Sequence, residues 1–349
     1  MRRAPLLAAF AALILAAAGC GGDDSGGDAG RNPVAQVPSG IQEEVRAAQN
    51  PQASEFPSPK GKTLQQLADS IGGGPEMGLA GSVYRAGEEN RVAFGVIDSD
   101  AGFLYGKTAL YIAKTPGSAA KGPYPAPADV LITDAPYRSQ QAATEADPFA
   151  AVYATHVKLG KPGTYAVMAV AKLDGRLVAT SPIGARVLAR DPVPDVGDRA
   201  PAVETPTVRS VGGDVAKIDT RQPPDDMHDV SLKDVVGKKP VILVFATPAL
   251  CQSRVCGPVV DIAQELKAEH GDEAAFIHME IYRGNTIKNG CLEGTRAQAQ
   301  CLRPQVLAYH LQTEPWAFAI DRRGKIVARL EGAYSKSELG AALKAAVRR

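Results

Sequence analysis

The stretch VILVFATPALCQSRVCGP, Val241 to Pro258, constrains this chain more than any other. Val241 to Phe245 is an unbroken apolar, β-branched run and reads as a strand buried on both faces. It stops at Cys251 and Cys256, which have four residues between them. Beyond them Val259, Ile262, Ala263 and Leu266 recur at helical spacing, which predicts an amphipathic helix over Val259 to His270. The partial positive charge at a helix N-terminus favours an ionised sulfur. A second cysteine nearby can then close on the first as a disulfide.

The chain has 349 residues, enough for two folded domains plus accessories. With 45% hydrophobic and 22% charged residues it is globular rather than disordered. A formal net charge of +1 leaves no basic excess to neutralise phosphates, so nucleic acid is excluded as a main partner. Aromatic residues at 5% also leave little for base stacking.

The N-terminus reads as a targeting segment. Arg2 and Arg3 form a positive n-region, and Ala4 to Ala18 an apolar stretch too short to span a bilayer comfortably. Ala17-Ala18-Gly19-Cys20 resembles the lipobox of bacterial lipoproteins, with Ala17 where leucine is common. That resemblance implies cleavage before Cys20 and its acylation, anchoring the protein to the extracytoplasmic face of the cell membrane. Two or more acyl chains hold stably where one does not. An ordinary secretory signal with an incidental Cys20 is the alternative. The polar run from Gly21 to Pro33 suits a flexible spacer.

Without Cys20, the other four of the five cysteines are Cys251, Cys256, Cys291 and Cys301. In an oxidising compartment an even number suggests two disulfides, or one structural bridge and one redox pair. Cys291 and Cys301 lie in a polar insertion and are expected to staple it, with a relay to the first pair as the alternative.

The expected organisation is a signal peptide over 1–20, a flexible tether over 21–62, an all-β sandwich over 63–190, a Pro-rich linker over 191–213 and an α/β domain over 214–349. Leu64, Leu67, Ala68 and Ile71 share one face of a short helix. About seven short strands between Gly78 and Arg190, separated by turn residues, have the spacing of an antiparallel sandwich. Within it Pro162-Gly163-Thr164-Tyr165 is similar to the tyrosine corner of immunoglobulin-like domains. Thr115 to Asp147 is expected to be a disordered connection, with a partner-binding loop as the alternative.

After Asp214 the order reads strand (Val215 to Ile218), polar loop, the buried strand, helix and strand (Ala274 to Tyr282). The cysteine-bearing insertion and a helix near Pro304 follow. A hairpin around Asp321-Arg322-Arg323-Gly324 and a final helix near Ser337 close the chain. A β-α-β unit followed by a hairpin and helix gives a small mixed sheet covered on both sides.

That order, with VFATPALCQSRVC after the buried strand and EPWAFAIDRRGKI at the hairpin, resembles the thioredoxin superfamily. VSLKDVVGKKPVILVF is similar to the entry of its membrane-tethered extracytoplasmic reductases. The resemblance runs from Asp214 to the end. It implies a thioredoxin-like fold and thiol-disulfide exchange with protein thiols and disulfides of the cell envelope, with no cofactor and no metal. Cys251 would be the nucleophile and Cys256 the resolving thiol, with Arg254 beside the thiolate. Pro315 would be a cis proline beside the dithiol whose neighbouring backbone pairs with the substrate chain.

The chain departs from that pattern in several places. The family usually has two residues between its cysteines, no tryptophan precedes Cys251, and the buried acid of cytoplasmic thioredoxins would fall near Val244. Glu314 precedes the proline. A carboxylate there would raise the thiol pKa, or would serve as the missing proton acceptor. Thr247-Pro248 and the four-residue gap are similar to Q-type peroxiredoxins, which makes a peroxidase one alternative. A non-catalytic adhesion or scaffold lipoprotein with a structural Cys251–Cys256 bridge is another. The copper chaperones of cytochrome oxidase assembly share the fold, but neither His310 nor His278 replaces their histidine. His156 and His278 are expected as packed or edge residues, and His228 as a structural or solvated loop residue.

Overall fold

The computed structural model describes residues 34–146, 148–251, 253–287 and 298–349. Cys20, with the lipid-anchor expectation, and Cys291 lie outside the described residues. Among the described residues no helix is long and apolar enough to cross a membrane.

Among the described residues the first half carries ten strands: β1 (Glu76–Leu79), β2 (Tyr84–Arg85), β3 (Glu89–Ile97), β4 (Lys107–Ala113), β5 (Lys121–Pro125), β6 (Ala128–Val130), β7 (Ala151–Lys158), β8 (Gly163–Leu173), β9 (Arg176–Ala179) and β10 (Ile183–Leu188). One sheet runs β1-β3-β7-β6 and the other β2-β10-β8-β4-β5, with β9 on β8. Pairing is antiparallel except between β2 and β10. Val92, Phe94 and Val96 of the first sheet share a core with Leu110, Ile112 and Val167 of the second. Such alternation along β3 and β4 is what two sheets pressed face to face require. Tyr165 Oη lies 3.1 Å from both the amide and the carbonyl of Lys161, four residues upstream, as a corner tyrosine does.

Two expectations change here. Residues 34–62, read as tether, wrap the sandwich. Helix α1 (Gln42–Ala48) buries Val45 and Ala48 in one core with Val37, and Phe56 is buried in another with Leu64 and Leu67. The composition is polar, but four apolar side chains suffice to dock the segment. The connection from Thr115 to Asp147 is also ordered where described, since it contains β5 and β6, paired to β4 and β7. Helix α2 (Leu64–Ile71) follows the expected face. Thr63 caps it by accepting from the Gln66 amide, and Gly72, at φ 96°, ends it.

The second half contains α3 (Leu232–Val235), β11 (Val241–Phe245), α4 (Cys256–His270), β12 (Ala275–Met279), α5 (Gln298–Cys301), α6 (Pro304–Ala308), β13 (Trp316–Ile320), β14 (Ile326–Glu331) and α7 (Lys336–Val347). The sheet order is β12-β11-β13-β14, with β11 parallel to β12 and the other pairs antiparallel. This is the β-α-β unit, hairpin and closing helix expected from the sequence. Val215–Lys217 is a single 3-10 turn, not the expected strand. Along β11, Val241, Leu243 and Phe245 pack with Leu232, Val306 and Tyr309, whereas Ile242 and Val244 pack with α4 and α7. Both faces of β11 are therefore covered, which is why the run carries no polar residue.

The segment read as an extended Pro-rich linker is fastened down. Gly197 and Ala200 donate backbone bonds to Ile326 and Gly324, and Ile326 donates to Asp198. Residues 197–200 thus cover the free edge of β14. The two halves also share one core, in which Leu131, Phe149 and Val152 meet Val255, Val259 and Ala333. Buried polar contacts reinforce it. Arg221 Nε lies 2.8 Å from Asp261 Oδ1, and Asp261 Oδ2 accepts from the amide and hydroxyl of Ser139. Arg91 bridges Glu338 and the Ala333 carbonyl.

Candidate active site

β11 runs into Ala246 and Thr247, and the chain then turns. The Thr247 carbonyl accepts from the amides of Leu250 and Cys251 at 3.1 Å. Cys251 and Cys256 form a disulfide with their Cα atoms 6.0 Å apart. Cys251 is half-buried, with Ser253 Oγ 3.2 Å from its Sγ, and Cys256 is fully buried. The helix begins at Cys256, three residues before the sequence suggested, so the buried sulfur rather than the accessible one sits at its first position. Arg254 stands exposed between the two cysteines at φ 59°. Gly257, the next helical residue, faces Gln141 of the first half so closely that a Cβ would lie 2.5 Å from its side chain.

Glu314 and Pro315 reach the same place from the start of β13. The Glu314–Pro315 peptide is cis, and Glu314 Oε2 lies 3.5 Å from Cys256 Sγ. Burial, and next the neighbouring Glu280 carboxyl, push the Glu314 carboxyl up to about 7. Hydrogen bonds from Tyr282 and Thr247 work in the opposite direction. Pro315 is buried and its carbonyl accepts from Gly332 across the hairpin at 2.9 Å. Val244 is buried among apolar side chains, so the acids near the dithiol come from other strands.

Glu280 escaped the sequence reading. It follows β12 and is buried, and burial raises its pKa. Its Oε1 accepts from the Thr220 amide at 2.7 Å and hydroxyl at 2.8 Å. Thr220 Oγ1 also accepts from Ala249 in the cysteine turn at 3.1 Å, tying that turn to Glu280. An acid two positions from a histidine on a strand gives no sign of its neighbours until the sheet forms.

A second buried cluster gathers Asp219, Asp225, His228 and His278. His278 Nδ1 lies 2.7 Å from Asp225 Oδ2, and its Nε2 lies 3.0 Å from the Ala246 carbonyl. His228 is buried rather than solvated, and His156 is exposed on β7. Cys301 is held in a disulfide. Beside the cysteine turn a cavity of about 260 Å³ is lined by Leu79, Ile97, Phe103 and Phe149 of the first half and by Ser253 to Val255.

No family model matches the chain, and no curated protein matches it. Among solved structures, it is similar to a putative thiol:disulfide interchange protein DsbE from Chlorobium tepidum. The identity is 20%, over 44% of this chain and 99% of the other, with a TM-score of 0.30. Thioredoxin-like superfamily protein SPOA0173 is 19% identical over 35% of this chain and 87% of its own, with a TM-score of 0.27. The Lin-41 filamin domain is 10% identical over 34% of this chain and 99% of its own, with a TM-score of 0.19. At these scores none of the likenesses carries weight for function.

Proposed function

We propose that this protein is a thiol-disulfide oxidoreductase acting on protein disulfides through Cys251 and Cys256, lipid-anchored through Cys20 at the extracytoplasmic face of the cell membrane. The observation that carries the proposal is the carboxyl of Glu314, held 3.5 Å from the buried Cys256 sulfur while Cys251 remains accessible. A bridge that only stapled a short loop has no need of a proton acceptor at one of its sulfurs.

In the reduced protein the Cys251 thiolate attacks one sulfur of a substrate disulfide. A mixed disulfide forms, and the other substrate sulfur leaves as a thiolate and takes up a proton. Cys256 passes its proton to the Glu314 carboxylate and attacks Cys251 Sγ. The Cys251–Cys256 bond closes, the second substrate thiol is released, and two electrons have passed to the substrate. The reverse sequence oxidises a substrate dithiol. The Pro315 carbonyl is occupied by Gly332, so pairing with a substrate strand falls to the backbone before it. The immunoglobulin-like first half serves as a rigid support for the cysteine turn.

Turnover of a disulfide-bonded polypeptide by the reduced full chain tests this. Activity lost in Cys251→Ser and retained in Cys301→Ser supports the assignment. Peroxide consumption without disulfide turnover would replace it with peroxidase chemistry, and neither activity would leave a structural bridge.

A further inference from the structure

The cluster of Asp219, Asp225, His228 and His278 takes no part in the exchange steps above. All four side chains are at most 1% exposed. One ligand atom from each lies within 4.8 Å of every other. Three loop residues and one strand residue converge here from separate stretches of sequence.

Ion pairing accounts for His278 and Asp225 but leaves one buried nitrogen without a hydrogen bond. His228 Nε2 is buried and makes no hydrogen bond, although it faces Asp225 Oδ1 at 3.3 Å and Asp219 Oδ2 at 3.6 Å. An orphaned buried nitrogen is costly. Across the cluster His278 Nδ1 faces Asp225 Oδ2 at 2.7 Å and Asp219 Oδ1 at 3.8 Å. Four atoms at the corners of a tetrahedron with bonds of about 2.1 Å stand about 3.4 Å apart. The facing pairs here, which together use both oxygens of each carboxylate, are 2.7 to 3.8 Å apart, so a cation held by one oxygen of each has its ligands within small side-chain shifts of that spacing.

The outer contacts also have the form that metal ligands take. His278 Nε2 is 3.0 Å from the Ala246 carbonyl, which can only accept, so Nε2 carries a proton, and loss of the second proton, between Nδ1 and Asp225, leaves the Nδ1 lone pair facing inward. Asp219 accepts from the amides of Arg221 and Asp225, and Asp225 accepts from that of Met227, which fixes both carboxylates. We infer that Asp219, Asp225, His228 and His278 form a closed four-ligand site for a divalent transition cation of zinc's class, placed to brace the loop over β12. Two carboxylates balance the cation's charge. On binding, the cation replaces the proton shared between His278 and Asp225, and no electron moves.

The test uses tag-free, oxidised full-length chain, in which the Cys251–Cys256 sulfurs are tied up as a disulfide, with zinc alone as the probe. Metal analysis after equilibration and desalting is expected to find about one zinc per chain. His228→Gln and Asp219→Asn are each expected to weaken binding by more than about 100-fold, beyond the loss typical of outer-shell partners. X-ray absorption on the zinc-loaded unmodified chain adds a readout that needs no variant to fold, with a first shell of nitrogen and oxygen including two imidazoles expected. No zinc uptake, uptake unchanged in His228→Gln, or a first shell with sulfur or without imidazole would each overturn the inference.

Discussion

Glu314 Oε2 stands 3.5 Å from Cys256 Sγ, at the foot of the strand that runs antiparallel to the one leading into the cysteine turn. The contact joins two stretches nearly sixty residues apart, and it gives the buried sulfur a partner whose protonation changes near neutrality.

Replacing that partner separates proton transfer from packing. Glu314→Gln keeps the shape and removes the acceptor. Stopped-flow exchange with a disulfide substrate should slow by about 10²-fold, the lower end of general-base contributions. The rate of the unmodified protein should show an inflection near pH 7, where the carboxyl titrates. That inflection should be missing from the variant. An unchanged pH profile would remove Glu314 from the proton path.

The same residue predicts a pH dependence of stability. Burial lifts the carboxyl from its ordinary 4.5 to about 7, so the folded protein holds a proton that the unfolded chain releases between those values. This contribution is fully present below about pH 4.5, falls as pH rises, and is lost above about 7. Urea denaturation of oxidised Glu314→Gln at pH 8 should show it more stable than the unmodified protein by on the order of 2–3 kcal/mol, with the gap closing at pH 4. A gap that grows toward low pH would reverse the sign.

Much of the second half was legible from local pattern. Val241 to Phe245 had to be buried on both faces because no polar residue interrupts it, and the Asp321–Gly324 turn marked the hairpin. The final helix, expected near Ser337, starts at Lys336 behind Ser335, which accepts from the Glu338 amide. The Glu314–Pro315 pair was singled out by the family resemblance rather than by local pattern. What escaped depended on contacts far apart in sequence. The polar stretch over 34–62 hid four anchoring side chains, and the Pro-rich 191–213 stretch gave no sign that it would pair with β14. Asp219, Asp225, His228 and His278 are unremarkable singly and meet only when the 219–228 loop folds over β12.

The Arg221–Asp261 pair sits where the halves meet, with Asp261 accepting from Ser139 and Arg221 donating to the Tyr137 carbonyl, and should behave as a buried ion pair. Asp261→Asn leaves the guanidinium, only 4% exposed, without its countercharge. A loss of about 3 kcal/mol in urea denaturation is expected. A paired replacement, Arg221→Met with Asp261→Leu, should recover most of it. A loss under about 0.5 kcal/mol for the single variant would mean that Ser139 and the backbone carbonyls satisfy the site alone.

Tyr165 offers a smaller check on the sandwich. Its hydroxyl sits 3.1 Å from the Lys161 amide and carbonyl. Tyr165→Phe should cost about 1 kcal/mol, seen as a lower thermal midpoint. An unchanged midpoint would mean that water replaces both contacts.

The most direct test of the central claim is the reduction potential of the Cys251–Cys256 pair, titrated in the full chain against a glutathione or dithiothreitol buffer. Cys301→Ser serves as the background that removes the second bridge. An exchange site should titrate above about −300 mV. A value well below about −300 mV, with no mixed disulfide captured by Cys256→Ser, would mark the pair as a permanent staple and contradict the account.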